Sequence, residues 1–219
     1  MNKVFLVAGG SGGHLFPALS LLDQLKGHDI LMLTDHRTEQ YLKKFGVNYR
    51  KIITARLQID FLLVFNLIKL FFSILDNILI ILQRKPDVVI GFGGYTSIPT
   101  LIAAKILKKK IIIHEQNAIM GKTNRILSKI ANVVAITFPQ TKFAPKNSVY
   151  TGIPLRKKKK IKNFKNKKKR IFIVGGSQGA KVFSRIIPES LKKLDKAILN
   201  KIIIVQQARH DDLKDLNKI

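Results

Sequence analysis

The stretch KVFLVAGGSGGHLFPALSLLDQLK, Lys3 to Lys26, narrows the possible folds more than any other part of the chain. An apolar run, Val4 to Ala8, breaks into a glycine cluster, and Leu15, Ala18, Leu19, Leu22 and Leu25 follow at helical spacing. That order predicts a strand, a tight turn and a helix start, the opening unit of a Rossmann-like sheet. Glycines in such a turn let the backbone approach a ligand closely. The helix start aims unpaired N–H groups at it, so the expected guest is an anion. The same order returns from Arg170 to Leu194, where Gly175-Gly176-Ser177 stands against Gly9-Gly10-Ser11 and Gly179 against Gly13. Two such openings predict two Rossmann-like domains. His14 has Ala180 as its counterpart, so the turn does not need it, and a histidine added beside an anion site is a candidate for chemistry.

Between these units the pattern predicts strands at Asp29–Thr34, Tyr49–Thr54, Pro86–Gly91, Lys110–His114 and Val133–Thr137, with a last one near Val149. Helices are expected at Thr38–Phe45, from Ser97 as N-cap to about Leu107, and at Gly121–Ala131. Ligands of open parallel sheets sit beyond the carboxyl ends of the strands. The first glycine turn, the Gly91-Phe92-Gly93-Gly94-Tyr95 turn and the polar cluster His114-Glu115-Gln116-Asn117 therefore fall on one rim. The run Ile59 to Leu82 is long enough for a membrane span. Asp60, Asn66, Lys69, Ser73, Asp76 and Asn77 put a thin polar stripe along it, which argues against a span. A helix so apolar must bury more than one face, against the core or, beside basic residues, in a membrane interface.

A hydrophobic share of 46% over 219 residues suits a globular chain of one full domain and part of another. Cysteine is absent, which excludes disulfides and thiolate metal sites and suits a reducing cytosol. The strand that begins at Lys3 leaves no expected room for a signal peptide. The net charge of +27 attracts polyanions, or reflects a lysine-rich composition that solvates the surface. The lysines are scattered, with no basic motif interleaved with aromatics, so no nucleic-acid partner is expected. The expected organisation is an N-terminal domain at residues 1–156, a basic linker at 157–169, and at 170–219 the beginning of a second domain that stops partway.

Five motifs stand in order: GGSGGHLFPAL, GFGGYTSIP, IHEQNAIMGKTNRIL, TGIPLR and GGSQGA. Together they resemble the bacterial peptidoglycan N-acetylglucosaminyltransferases of the glycosyltransferase family 28 type, over essentially the whole chain. The resemblance implies an α/β fold of two Rossmann-like (GT-B) domains, the N-terminal one complete with a parallel sheet and the C-terminal one only partly present. It implies inverting, metal-independent transfer of GlcNAc from UDP-GlcNAc to the 4-hydroxyl of undecaprenyl-pyrophosphoryl-MurNAc-pentapeptide, converting lipid I to lipid II, with no cofactor. The N-terminal domain would hold the lipid acceptor and attach peripherally to the anionic, cytoplasmic face of the inner membrane. Ser11, Gly12 and Gly13 match the family's donor contacts in the first turn, Asn117 the asparagine of HEQN, Arg156 the arginine of the interdomain motif, and Ser177 the serine of the second glycine loop. Ser11 replaces a usual threonine and keeps the hydroxyl, whereas Ile153 replaces a usual asparagine.

Such a transfer needs a base for the acceptor hydroxyl and positive potential for the departing diphosphate. His14 is the preferred base, with helix capping or diphosphate binding as its other reading. Glu115 is the rival base, and it equally suits orienting His14, holding an acceptor hydroxyl, or a structural carboxylate. Gly93 and Gly94 belong to the binding rim, and Tyr95 packs either on the acceptor sugar or in the core. No Asp-x-Asp pair occurs, in keeping with the metal-free mechanism. The alternative functions are a non-catalytic, acceptor- and membrane-binding half that needs a separate donor-binding part, or a related GT-B sugar transferase.

Overall fold

A computed structural model describes residues 1–54, 63–155, 168–176 and 179–213. The chain forms two units, Met1–Lys157 and Lys158–Ile219. In chain order the first contains β1 (Lys3–Val7), α1 (Gly12–Gln24), β2 (Asp29–Thr34), α2 (Glu39–Lys44), β3 (Tyr49–Lys51) and α3 (Leu63–Arg84). It continues with β4 (Val88–Gly91), α4 (Ser97–Ile106), β5 (Lys110–Glu115), α5 (Lys122–Leu127), β6 (Val133–Ile136) and β7 (Val149–Tyr150). The seven strands pair in the order β3-β2-β1-β4-β5-β6-β7, every pair parallel.

Alternation along each strand divides the core between the two faces of the sheet. Phe5 and Val7 point into one layer with Leu33, Ile81, Val89 and Leu101, beneath α3 and α4. Val4, Leu6 and Ala8 point into the other with Leu15, Ala18, Met32 and Phe92, beneath α1. Helices on both faces are what an all-parallel sheet requires. The strand order reverses between β1 and β4, where Val7 stands level with both Leu33 and Gly91. A crevice opens at such a switch point because neighbouring connections leave to opposite faces. The site lies there.

Besides β3, which ends at Lys51 rather than Thr54, the structure departs from the sequence expectation in three places. Ser97 is the first helical residue of α4, and Thr96 takes the N-cap position. The Ser97 hydroxyl donates instead to the Gly93 carbonyl at 2.9 Å. The helix expected to reach Ala131 ends as α5 at Leu127. The largest departure is α3, whose first expected residues, 59–62, lie outside those described. Its polar residues were expected to form one thin stripe, but they divide, with Ser73 and Asn77 fully buried and Lys69 exposed. Asn77 donates to the Ser73 carbonyl at 2.8 Å and accepts from the Thr100 hydroxyl of α4 at 2.6 Å. The outer face is apolar instead, with Phe65, Ile68, Phe72, Leu75, Leu79 and Leu82 all exposed.

The second unit contains β8 (Lys169–Ile173), α6 (Lys181–Leu191), α7 (Lys196–Leu199) and β9 (Ile202–Gln206). β8 and β9 pair in parallel, with Lys169 level with Ile202. This is the strand–turn–helix–strand order expected of the second glycine motif.

The buried Thr100–Asn77 bond gives a test of how α3 is held. Thr100→Val keeps the shape of the side chain but leaves the Asn77 carbonyl oxygen without a donor, and is expected to cost about 1–3 kcal/mol in urea unfolding. Adding Asn77→Leu is expected to restore much of that loss, because both polar partners are then gone.

Candidate active site

The glycine turn after β1 runs straight into α1. Ser11 is the N-cap in extended geometry, and its side chain makes no capping hydrogen bond. The first amides of α1 have no carbonyl of a preceding helical turn to bond, apart from the His14 amide, which donates to the Ser11 carbonyl at 3.3 Å, and the positive end of the helix dipole lies at this turn. Gly9 is required by close approach, since a Cβ there would lie 2.6 Å from Thr96 Oγ1 and 3.0 Å from Asp35 Cγ. The turn is thus pressed against the end of β2 and the start of α4.

Asp35, the residue after β2, is fully buried at that junction. It accepts from Thr96 Oγ1 at 2.9 Å, from Arg37 Nε at 3.1 Å and from Arg37 Nη2 in an ion pair. Burial pushes its carboxyl pKa up. The hydrogen bonds from Arg37 and Thr96, the Arg37 charge and the Gly10 amide outweigh burial, and the net shift is downward. Asp35 is therefore an anion at neutral pH, and it holds Arg37 with its guanidinium 4.5 Å from the centre of the Tyr95 ring. Gly10, Ser11, His14, Arg37, Gly94 and Tyr95 line a cavity of about 280 Å³. A larger hollow of about 480 Å³, lined by Leu22, Leu25, Phe45 and Val47, involves the amino end of β2 and no residue of the rim.

The cluster at the end of β5 reaches the same cavity through one residue. His14 Nδ1 lies 3.0 Å from Gln116 Oε1. The Gln116 amide nitrogen lies 2.9 Å from the His114 carbonyl and 3.1 Å from His114 Nδ1. His114 Nε2 in turn lies 3.0 Å from the Gly152 carbonyl. Burial pushes the His114 imidazole below its ordinary pKa, against the opposing pull of the Gly152 carbonyl and the Glu115 charge. His114 is therefore neutral at pH 7.

Glu115 is 1% exposed and fully engaged. One carboxylate oxygen accepts from the Asn117 amide and side chain, both at 2.9 Å. The other accepts from the Gly121 amide at 3.0 Å and from Asn124 Nδ2 at 2.8 Å. It ties the loop after β5 to the start of α5 and holds exposed Asn117 by both ends.

Of the residues singled out from sequence, Ser11, His14, Gly94 and Tyr95 meet at the cavity, with Gly12 and Gly13 behind them in the first turn of α1. Gly93 faces the Asn124 side chain instead. Arg156 and Ser177 lie outside the described residues. Sequence reasoning missed Asp35, Arg37 and Thr96, although the rule that placed the glycine turns on the rim also applies to the end of β2. It quoted Gln116 within HEQN but gave it no role. Among the described residues no three His, Asp or Glu side chains converge as metal ligands would.

Comparison with known proteins agrees with this architecture. Residues 4–136 match the glycosyltransferase family 28 N-terminal domain. The chain is similar to the UDP-N-acetylglucosamine–N-acetylmuramyl-(pentapeptide) pyrophosphoryl-undecaprenol N-acetylglucosamine transferase of Rickettsia bellii. The two are 39% identical, over 100% of this chain and 65% of that protein. The protein of the same name from Wolbachia of Brugia malayi is 34% identical, over 99% of this chain and 62% of its own length. The crystal structure of Acinetobacter baumannii MurG superposes with a TM-score of 0.75 at 29% identity, over 100% of this chain and 64% of that one. The UDP-GlcNAc 2-epimerase of Neisseria meningitidis, at 13% identity and a TM-score of 0.59, shares the fold. The chain thus spans about two thirds or less of the length of these relatives. With more than half of its residues inside that domain match, it belongs to glycosyltransferase family 28.

Proposed function

We propose that the first unit holds the acceptor in an inverting transfer of GlcNAc from UDP-GlcNAc to the 4-hydroxyl of undecaprenyl-pyrophosphoryl-MurNAc-pentapeptide. The observation that carries this reading is the His14–Gln116 contact. It joins the glycine turn and the HEQN segment at one cavity, beside helix-start amides and Arg37. The named activity of the 34–39% identical relatives supports the choice of substrates. In the proposed step the 4-hydroxyl oxygen bonds to the anomeric carbon of GlcNAc while the bond from that carbon to the diphosphate breaks, and UDP leaves with the electron pair. His14 Nε2 takes the hydroxyl proton. The amides of the first turn and Arg37 supply positive potential for a diphosphate. Ser11, Asn117 and Tyr95 serve as contacts to the sugars. Arg156 and Ser177 remain proposed donor contacts on the resemblance alone. Glu115, already saturated by four donors, serves as the clamp of the Asn117 loop rather than as the base.

The proposed location is the cytoplasmic face of the inner membrane, peripherally attached. α3 is long and apolar enough to cross a bilayer by length and composition. Ser73, Asn77, Ile80 and Ile81 are buried within the unit, so the helix is held along the protein and offers its outer face to lipid. Phe71 and Phe72, both 58% exposed, are the largest apolar groups at the middle of that face. The +27 net charge favours an anionic surface.

Four experiments test this reading. His14→Ala is expected to lower transfer to a lipid I analogue by about 10²–10⁴-fold with UDP-GlcNAc affinity unchanged; undiminished turnover removes the base assignment. Should the unsubstituted chain bind the analogue but neither titrate with UDP-GlcNAc nor transfer, it is an acceptor-holding half that works with a separate donor-binding part. Glu115→Gln turns one acceptor oxygen towards donors as an NH₂ group. It is expected to cost about 1.5–3 kcal/mol or more of stability, the worth of a hydrogen bond to a charged group, whereas a residue acting only as base would leave unfolding unchanged. Phe71→Asp with Phe72→Asp is expected to weaken co-sedimentation with anionic vesicles by roughly tenfold or more, without changing the far-ultraviolet circular dichroism.

A further inference from the structure

We infer that Gln116, oriented by His114, is a positioning residue that fixes the neutral tautomer of His14, keeping the proton on Nδ1 and the lone pair on Nε2. The inference rests on the proposed role of His14 for its functional meaning, but its structural content stands alone. It follows from the donor and acceptor character of each atom along one chain of contacts. The Gly152 carbonyl only accepts, so His114 Nε2, 3.0 Å away, carries a hydrogen. His114 is neutral, so its Nδ1 is bare and accepts from the Gln116 side chain at 3.1 Å. The Gln116 group facing it must therefore be the NH₂. The His114 carbonyl, an acceptor only, lies 2.9 Å from the same nitrogen and demands the same orientation. With the amide fixed twice over, its oxygen faces His14 Nδ1 at 3.0 Å, and that nitrogen must donate. Nε2 is left with the lone pair.

The consequence is chemical. A free neutral imidazole side chain favours the tautomer with hydrogen on Nε2, which would place a proton where a base needs an electron pair. The relay inverts that preference. Nε2 is the ring nitrogen turned to Gly94, where an added Cβ would lie 3.5 Å from it and 3.3 Å from Cδ2. Gly94 has φ +70° and lines the same cavity as His14. Gln116 and His114 are 9% and 5% exposed, so water does not readily replace either partner. The fixed end of the relay, Gly152, lies two residues after β7.

The test is the imidazole nitrogen spectrum of the whole 219-residue chain, uniformly labelled with ¹⁵N and recorded at a pH where His14 is neutral, with His14→Ala used for assignment. The expected result is a protonated-type Nδ1 and a bare-type Nε2 for His14, and the opposite pattern for His114. An Nε2–H form of His14 in the unsubstituted protein overturns the inference without any variant. Gln116→Leu is expected to shift the His14 tautomer ratio towards Nε2–H by about fivefold or more, the factor that one neutral hydrogen bond supplies. Gln116→Glu, which still accepts from Nδ1, is expected to retain the Nδ1–H form. An unchanged ratio in a folded Gln116→Leu protein also overturns it. If the tautomers are as stated while His14→Ala transfers normally, the base assignment fails and the relay stands.

Discussion

Asp35 holds together three of the chain segments from which the site is made. It stands one residue beyond β2, is fully buried, and receives hydrogen bonds from Arg37 and from Thr96 at the start of α4, with the Gly10 amide adding to the stabilisation of its charge. A carboxylate removed from water is costly unless charge and hydrogen bonds compensate it. Here they come from β1's turn, β2's own exit and the turn after β4. The consequences are geometric. Gly9 is drawn so close to Thr96 that no side chain fits between them. Arg37 is held against Tyr95, with its charge on the wall of the cavity rather than in solvent.

Glu115 does the same for the other half of the rim, with a different set of donors. Its oxygens bind the Asn117 and Gly121 amides and the Asn117 and Asn124 side chains, which lie in the segment joining β5 to α5 and in α5 itself. Two buried carboxylates therefore shape the rim, and both are engaged by hydrogen bonds from the protein. The group left with an accessible lone pair in the cavity is the histidine that the second glycine motif lacks.

The parallel sheet was legible because its inner strands, β1, β2, β4, β5 and β6, are largely buried. Their short apolar runs end in glycine or polar clusters, and β2 falls where the pattern placed it, Asp29–Thr34. The site was legible as a rim but not as a mechanism. A polar cluster such as HEQN shows that side chains gather beyond a strand. It does not show which one turns inward to clamp the loop and which one bridges to another strand. Glu115 and Gln116 are neighbours in sequence with opposite duties for that reason. The polar stripe of α3 was legible as a stripe, but the pattern did not say which way it turned. Inside the protein Asn77 donates to the Ser73 carbonyl and accepts from the Thr100 hydroxyl, while the Ser73 hydroxyl donates to the Ile53 carbonyl, and the outer face is left to apolar residues. Asp35 and Arg37 carried no motif. Only the rule about strand ends pointed to them.

The choice of an amide at position 116 has its own logic on the proposed reading of His14. A carboxylate would hold Nδ1–H as well, but an anion beside the ring favours the charged imidazolium and raises its pKa. A base is most effective when it is still largely neutral at the working pH. Glutamine orients the ring without adding charge, and His114, kept neutral by burial, fixes the glutamine in turn. The negative charges at this rim are placed elsewhere: Asp35 is paired with Arg37, and Glu115 is enclosed by four donors. The cavity is thereby lined by neutral donors, one guanidinium and one imidazole lone pair. That combination suits a ligand bringing both a diphosphate and a hydroxyl to be deprotonated.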